Sequence, residues 1–165
     1  MSEKEKKEIA ERLLTRIATG LYFIEFNYLE RYSTPDPAFI RNIYILLSFY
    51  TELLLKTIFI IKGTFSSIAE LDEELKRLGH NIEAIGQRID KRELHSFGIR
   101  DIRLENNEYV IETDEGNFHV KDFTNIRYDF LDGRVRMVAK NEHEAFKKQI
   151  EIMLKINEIL KPLAF

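Results

Sequence analysis

Glu52 and Lys56 stand out because they are the two charged residues within a long, densely apolar segment, residues 43–61. They are four residues apart, and this spacing brings two side chains to the same face of a helix. His80 follows in a second helical pattern, beside Gly79, and a histidine titrates near neutral pH. A carboxylate, an ammonium group and an imidazole in one cleft could orient a phosphate or position a water molecule.

The same three residues also have a purely structural interpretation, which stays open. Glu52 and Lys56 could form an ion pair that satisfies itself between helices, with His80 held by Glu52 or by a helix terminus. Under either interpretation, polar groups within apolar segments need partners inside the protein. We therefore predict that Glu52, Lys56 and His80 lie close together and are mostly buried.

Arg136 and His143 form a second candidate pair, with six residues between them. An arginine can hold a scissile phosphate through two hydrogen bonds, and a histidine can move the proton of a ribose 2′-hydroxyl. Such a mechanism needs no metal ion. The alternative is that Arg136 pairs with Asp129 across a hairpin, while His143 is solvated in the first turn of a helix.

Arg127 and Tyr128 are two further candidates for binding. The arginine could contact a phosphate group, and the tyrosine ring could stack on a nucleic-acid base. Alternatively, Tyr128 packs against Met137 on a neighbouring strand and Arg127 lies in solvent. Both interpretations depend on a hairpin centred on Asp132-Gly133, which is a strong two-residue turn signal.

The composition restricts the possible classes of protein. The chain has 165 residues, of which 44% are hydrophobic and 32% charged, as in a globular domain. Its net charge of −3 provides no general attraction to nucleic acid, so RNA binding would need a local basic patch. The chain contains no cysteine, and its histidines and acids show no spacing typical of a metal site. We expect neither a metal ion nor a cofactor.

The apolar segment around Glu52 is long enough to cross a membrane, but charged residues near its middle would be costly there. We therefore predict that it is the buried central helix of a protein without a membrane span. The charged start of the chain shows no apolar core of a secretory signal, and the absence of cysteine fits a reducing compartment. The expected location is the cytoplasm.

Helical periodicity accounts for most of the chain. The first helix has one apolar stripe, formed by Ile9, Leu13, Ile17, Leu21, Ile24 and Tyr28. Further helices are predicted over residues 37–62, from Ser66 or Ser67 to Leu78, over residues 81–92, and from about Asn141 onwards.

The spacing of apolar residues changes between these last two helices. Apolar and polar residues alternate over residues 99–104 and 108–113, as in half-buried strands. The sequence therefore predicts a mainly α protein, a four-to-five-helix up-down bundle in a single domain over residues 1–165. A small antiparallel β-hairpin insert, residues 99–138, precedes the last helix.

The chain resembles the HEPN family of four-helix proteins. The resemblance rests on Glu52 and Lys56 in the second helix, on Gly79-His80-Asn81 after the third, and on Ile126-Arg127-Tyr128 before the last. It implies a helical bundle that binds a nucleotide or cleaves RNA, often in a toxin–antitoxin or antiviral system. It also implies a homodimer around a shared cleft, with a nucleotidyltransferase-type protein as a possible partner.

Catalytic members of that family carry an arginine, four to six residues, and then a histidine at the start of the last helix. Residues 136–143 have this spacing, so the resemblance implies that Arg136 and His143 would be the catalytic pair of a metal-independent endoribonuclease. The residue after the arginine is apolar Met137, however, and Arg136 is expected on a strand. We therefore favour a binding or regulatory module, with the ribonuclease as the alternative.

Overall fold

The computed structural model describes residues 1–30, 37–122 and 140–165, and within these residues the chain is mainly helical, as predicted. Among the described residues, three long helices provide most of the core, and three short helices and a three-stranded sheet lie between the second and the third of them in sequence. The helices are α1 Glu3–Ile24, α2 Pro37–Lys62, α3 Ile68–Leu78, α4 Ile82–Gln87, α5 Lys91–Ser96 and α6 Lys140–Ala164. The strands are β1 Ile99–Glu105, β2 Glu108–Thr113 and β3 Gly116–Lys121.

Helix α1 begins at a complete capping box. The Glu5 amide donates to Ser2 Oγ at 3.2 Å, and the Ser2 amide donates to the Glu5 carboxylate at 2.7 Å. The helix then continues into a π-helical segment, Glu25–Leu29. The predicted apolar stripe faces the core, and the buried residues of α1 are Ala10, Leu14, Ile17, Gly20, Leu21 and Ile24.

Helix α1 runs antiparallel to α2 and α6. The N-terminal ammonium group donates to the Phe65 carbonyl oxygen at 3.1 Å, just beyond the end of α2. Lys7 Nζ donates to the carbonyl oxygen of Phe165, just beyond the end of α6, at 3.3 Å. Gly20 permits the close contact with α2, because a Cβ at this position would lie 2.1 Å from the ring of Tyr50.

Helices α2 and α6 therefore run in the same direction. Tyr44, near the start of α2, packs edge-to-face against Phe146 of α6, with ring centroids 4.8 Å apart. Further along, Thr51 Oγ1 lies 3.5 Å from Met153 Sδ. Neighbouring elements that run parallel need a long crossover, and the chain between α2 and α6 supplies it with the short helices and the sheet.

Helix α2 contains the segment that is long and apolar enough to cross a membrane, Ile40–Lys62, with a mean hydropathy of 1.7. Inside the bundle, 61% of its most apolar window is buried. The buried residues of α2 belong to the same core as those of α1 and α6. This is the burial expected of a core helix, in agreement with the sequence prediction.

The predicted single helix over residues 81–92 is wrong. Helix α4 ends at Gln87 and α5 begins at Lys91. Asp90 interrupts the pattern because its side chain accepts the Arg92 amide at 2.7 Å and so caps a new helix. The side chain of a cap residue binds backbone N–H groups that a continuous helix would use for its own hydrogen bonds. The spacing of apolar residues does not reveal this competition.

The predicted strands are present over residues 99–121 and form an antiparallel sheet in the order β1-β2-β3. Asn106 and Asn107 form the first turn with φ of 50° and 65°, which asparagine tolerates better than most residues. Ile111 pairs with Ile102 on one side and with Phe118 on the other. The hairpin predicted around Asp132-Gly133 lies outside the described residues.

Candidate functional site

The structure brings Glu52, Lys56 and His80 together, and we call these three residues the Glu52 cluster. Lys56 Nζ donates to Glu52 Oε1 at 2.7 Å, and the His80 ring nitrogen Nδ1 lies 2.9 Å from Glu52 Oε2. Both carboxylate oxygens therefore have a charged or titratable partner. Their predicted proximity is confirmed.

The loop after α3 positions the cluster through its backbone. Lys56 Nζ also donates to the Gly79 carbonyl oxygen at 2.7 Å, which joins α2 to the end of α3. Gly79 has φ of +59° and ψ of −134°, a conformation that a residue with a side chain rarely adopts. This conformation ends α3 and turns the chain so that His80 reaches Glu52.

The prediction that all three residues are mostly buried is correct for two of them. The Glu52 and Lys56 side chains are 7% and 13% exposed, but the His80 side chain is 58% exposed. His80 lies in the turn after α3, outside the core, so only its bonded edge faces Glu52. The cluster is therefore an ion pair below the surface, covered in part by a histidine that faces solvent.

This geometry limits the chemistry of the cluster. Lys56 uses two of its three donor hydrogens within the protein, and Glu52 uses both oxygens, so neither is arranged to receive a ligand directly. A nucleotide or another phosphate-bearing ligand would meet His80 first. A carboxylate beside Nδ1 favours the tautomer with hydrogen on Nδ1, which is the arrangement of an oriented acid–base histidine.

Of the other predicted site residues, His143 is the one that falls among the described residues. His143 lies in the first turn of α6, and its Nδ1 is buried without a hydrogen-bond partner in the part of the chain that the structure describes. Arg127, Tyr128 and Arg136 lie outside the described residues. The proposed pairing of Arg136 with His143 therefore stays a prediction.

Tyr44, Glu142 and Lys121 form a polar cluster that was not predicted from the sequence. The Tyr44 hydroxyl donates to Glu142 Oε1 at 2.9 Å, and Lys121 Nζ lies 4.2 Å from the centroid of the Tyr44 ring. These residues belong to α2, α6 and the end of β3, and a small pocket of about 170 Å³ opens beside them. No local spacing relates the three residues, so only the packed structure reveals the group.

Three aromatic side chains near the end of α1 form a second feature that was not predicted. Tyr22, Phe23 and Phe26 are exposed to 55%, 53% and 59%, and we call them the aromatic patch. A sequence signal was present, since none of the three belongs to the apolar stripe of the first helix. Aromatic residues outside the stripe of an amphipathic helix face away from its core.

Within the described residues, no group of three or more histidine, cysteine, aspartate or glutamate residues is arranged to hold a metal ion. Comparison with models of protein families, with curated proteins and with solved structures finds no match to this chain. Functional inference therefore depends on the geometry of the chain itself.

Proposed function

We propose that this protein is a HEPN-like binding module that acts by association with another protein surface. The setting we propose is a toxin–antitoxin or defence-type system in the cytoplasm. The observation that carries the proposal is the aromatic patch. Three large aromatic side chains, each more than half exposed, lie together on one helix, and such groups mark interaction surfaces more often than isolated apolar residues do.

The anatomy of the surrounding surface supports association. Aromatic residues and arginine are enriched at protein interfaces, and Arg12 and Arg16 lie on the same exposed side of α1 as the patch. The Glu52 cluster has a supporting role in this proposal, because it fastens α3 to α2 and uses its charges internally. A phosphate-binding role for His80 would add a ligand to the module without replacing its association surface.

The test is the size of the complex that contains the protein in an extract of its source cells. Size-exclusion chromatography followed by immunoblotting would compare the wild type with the variant Phe23→Ser/Phe26→Ser. We expect the wild type to elute in a complex larger than the monomer and the variant to elute later. The control variant is Leu104→Ser, which removes an exposed apolar side chain from β1.

Two outcomes would contradict this proposal. Equal elution of wild type and patch variant would show that the aromatic patch does not carry the association. A complex that disappears after nuclease treatment would assign the patch to stacking on RNA bases, since aromatic side chains bind single strands in that way.

A metal-independent endoribonuclease is the second candidate function. One observation favours it: His143 lies at the start of α6 with a buried ring nitrogen that lacks a hydrogen-bond partner among the described residues. Its proposed partner in catalysis is Arg136. RNA affinity depends mainly on phosphate neutralisation, however, and the net charge of the chain is −3.

We expect no cleavage of a labelled RNA mixture in the presence of EDTA, either by the wild type or by His143→Ala. The reasons are the negative net charge of the chain and the apolar residue that follows Arg136. Cleavage that persists in EDTA and is lost in His143→Ala would decide for the ribonuclease. The matched control is His95→Ala, which removes an exposed histidine from the end of α5.

A further inference from the structure

The cavity beside Tyr44 has a volume of about 170 Å³ and lies between β3 and the N-terminal half of α6. Three of its lining residues are aromatic and come from different elements: Tyr44 of α2, Phe118 of β3 and Phe146 of α6. Phe118 and Phe146 are 5% and 4% exposed, so their rings belong to the core. We call this space the Tyr44 cavity. It has an apolar wall, and its lining residues lie outside the aromatic patch.

One buried side chain that lines the Tyr44 cavity has only a weak hydrogen-bond acceptor among the described residues. Gln149 of α6 is 3% exposed, and its amide nitrogen lies 3.9 Å from Met153 Sδ. A thioether sulfur accepts weakly, and this one is shared, because Thr51 Oγ1 lies 3.5 Å from the same atom. A buried amide that is poorly bonded carries much of its desolvation cost. An acceptor atom inside the cavity would offset that cost.

A positive charge lies at the same cavity. Lys121 is the last residue of β3, and its Nζ lies 4.2 Å from the centroid of the Tyr44 ring. Across the strands Lys121 is opposite Glu108, but the Glu108 carboxylate lies 3.6 Å from Nδ1 of His119. The face of a ring attracts an ammonium group without neutralising its charge. Lys121 is therefore held at the cavity as a cation that can bind an anion.

From these observations we propose that the Tyr44 cavity binds a small organic acid. The carboxylate of the acid would accept hydrogen bonds from Lys121 Nζ and from the amide of Gln149. Its apolar body would pack against the rings of Tyr44 and Phe146. This inference goes beyond the association proposed above, because it assigns a ligand site to other elements of the fold.

The volume of the cavity restricts the ligand to a compact molecule. A cavity of about 150 Å³ holds one benzene molecule, whereas drug-sized ligands occupy pockets of roughly 300–1,000 Å³. A nucleotide belongs to the larger class and exceeds a cavity of about 170 Å³. Inorganic phosphate is small enough, but it would leave the apolar wall uncovered. An acid with one ring or a short branched chain suits both the volume and the wall.

The test is an NMR titration of the purified, isotope-labelled full chain with benzoate and, separately, with isovalerate. The side-chain amide resonances of Gln149, identified by their absence in Gln149→Leu, should shift and reach saturation with both acids. Benzamide has the shape of benzoate but no charge, so it should bind about tenfold more weakly. Inorganic phosphate and adenosine monophosphate should leave the Gln149 resonances in place.

Two variants test the site without removing the Gln149 amide. Lys121→Met should weaken benzoate binding about tenfold, because it removes a charge-assisted hydrogen bond. Ala145→Leu adds apolar volume at an exposed residue of α6 that lines the cavity, and it should weaken binding at least as much. The matched control is Lys91→Met, an exposed lysine of α5, which should bind benzoate like the wild type. Circular dichroism must show the wild-type fold in every variant.

Each contrary result has a definite meaning. Gln149 resonances that stay in place with both acids would overturn the proposal. Phosphate that shifts them as strongly as benzoate would replace the organic acid by an inorganic anion. Wild-type affinity for benzoate in both Lys121→Met and Ala145→Leu would show that the acid binds elsewhere. Benzamide that binds as tightly as benzoate would overturn the role of the Lys121 charge.

Discussion

Replacement of Glu52 by alanine is expected to lower the free energy of unfolding by about 3 kcal/mol or more. The carboxylate is 7% exposed and bonds Lys56 at 2.7 Å and His80 at 2.9 Å. Without it, the ammonium group of Lys56 remains below the surface with only the Gly79 carbonyl as its partner. Removing one partner of a buried pair is costly because the other charge stays desolvated.

Urea denaturation followed by circular dichroism would measure this change. The double variant Glu52→Leu/Lys56→Met is the informative comparison, because it replaces both partners by apolar groups of similar length. The double variant should recover most of the lost free energy of unfolding. His80 is exposed, so water can replace the Glu52 carboxylate as its hydrogen-bond partner. Glu73→Ala, an exposed position on α3, should change the free energy of unfolding by no more than about 0.5 kcal/mol.

An effect of Glu52→Ala as small as that of Glu73→Ala would show that the ion pair is solvated. If the double variant is as unstable as Glu52→Ala, the cluster stabilises the fold by more than the neutralisation of Glu52 and Lys56 by each other. In that case the bridge from Lys56 to the Gly79 carbonyl, which fixes the end of α3, would be the main contribution.

Replacement of Asn157 by leucine is expected to raise the free energy of unfolding by about 2 kcal/mol. Asn157 is fully buried on α6, and neither Oδ1 nor Nδ2 has a hydrogen-bond partner among the described residues. A buried amide without partners carries its full desolvation cost. Leucine has a similar size and removes both polar atoms from a core lined by Met153 and Leu160.

The opposite change is the matched control for this position. Asn157→Asp keeps the shape but places a carboxylate in the core, and it should lower the free energy of unfolding by about 3 kcal/mol or more. Thermal and urea denaturation would measure both variants. A loss of stability in Asn157→Leu would contradict the prediction and indicate that the amide is bonded to buried water.

Local periodicity allowed the helical part of the fold to be predicted. The stripe of α1 and the change to strands from Ile99 both depend on side chains a few residues apart. The ion pair between Glu52 and Lys56 was predictable for the same reason, since four residues make one turn. The boundary between α4 and α5 was missed because a single cap at Asp90 decides it.

The sequence by itself therefore determined where the three long helices lie, which face of α1 is apolar, and that the charges within α2 need partners nearby. Only the tertiary structure decided that the Gly79 carbonyl is one of those partners and that His80 faces solvent. It also brought Tyr44, Glu142 and Lys121 together from three separate elements. These outcomes depend on how α1, α3 and α6 pack around α2. The residues that meet in such contacts are far apart in the chain, so no regular spacing in the sequence predicts them.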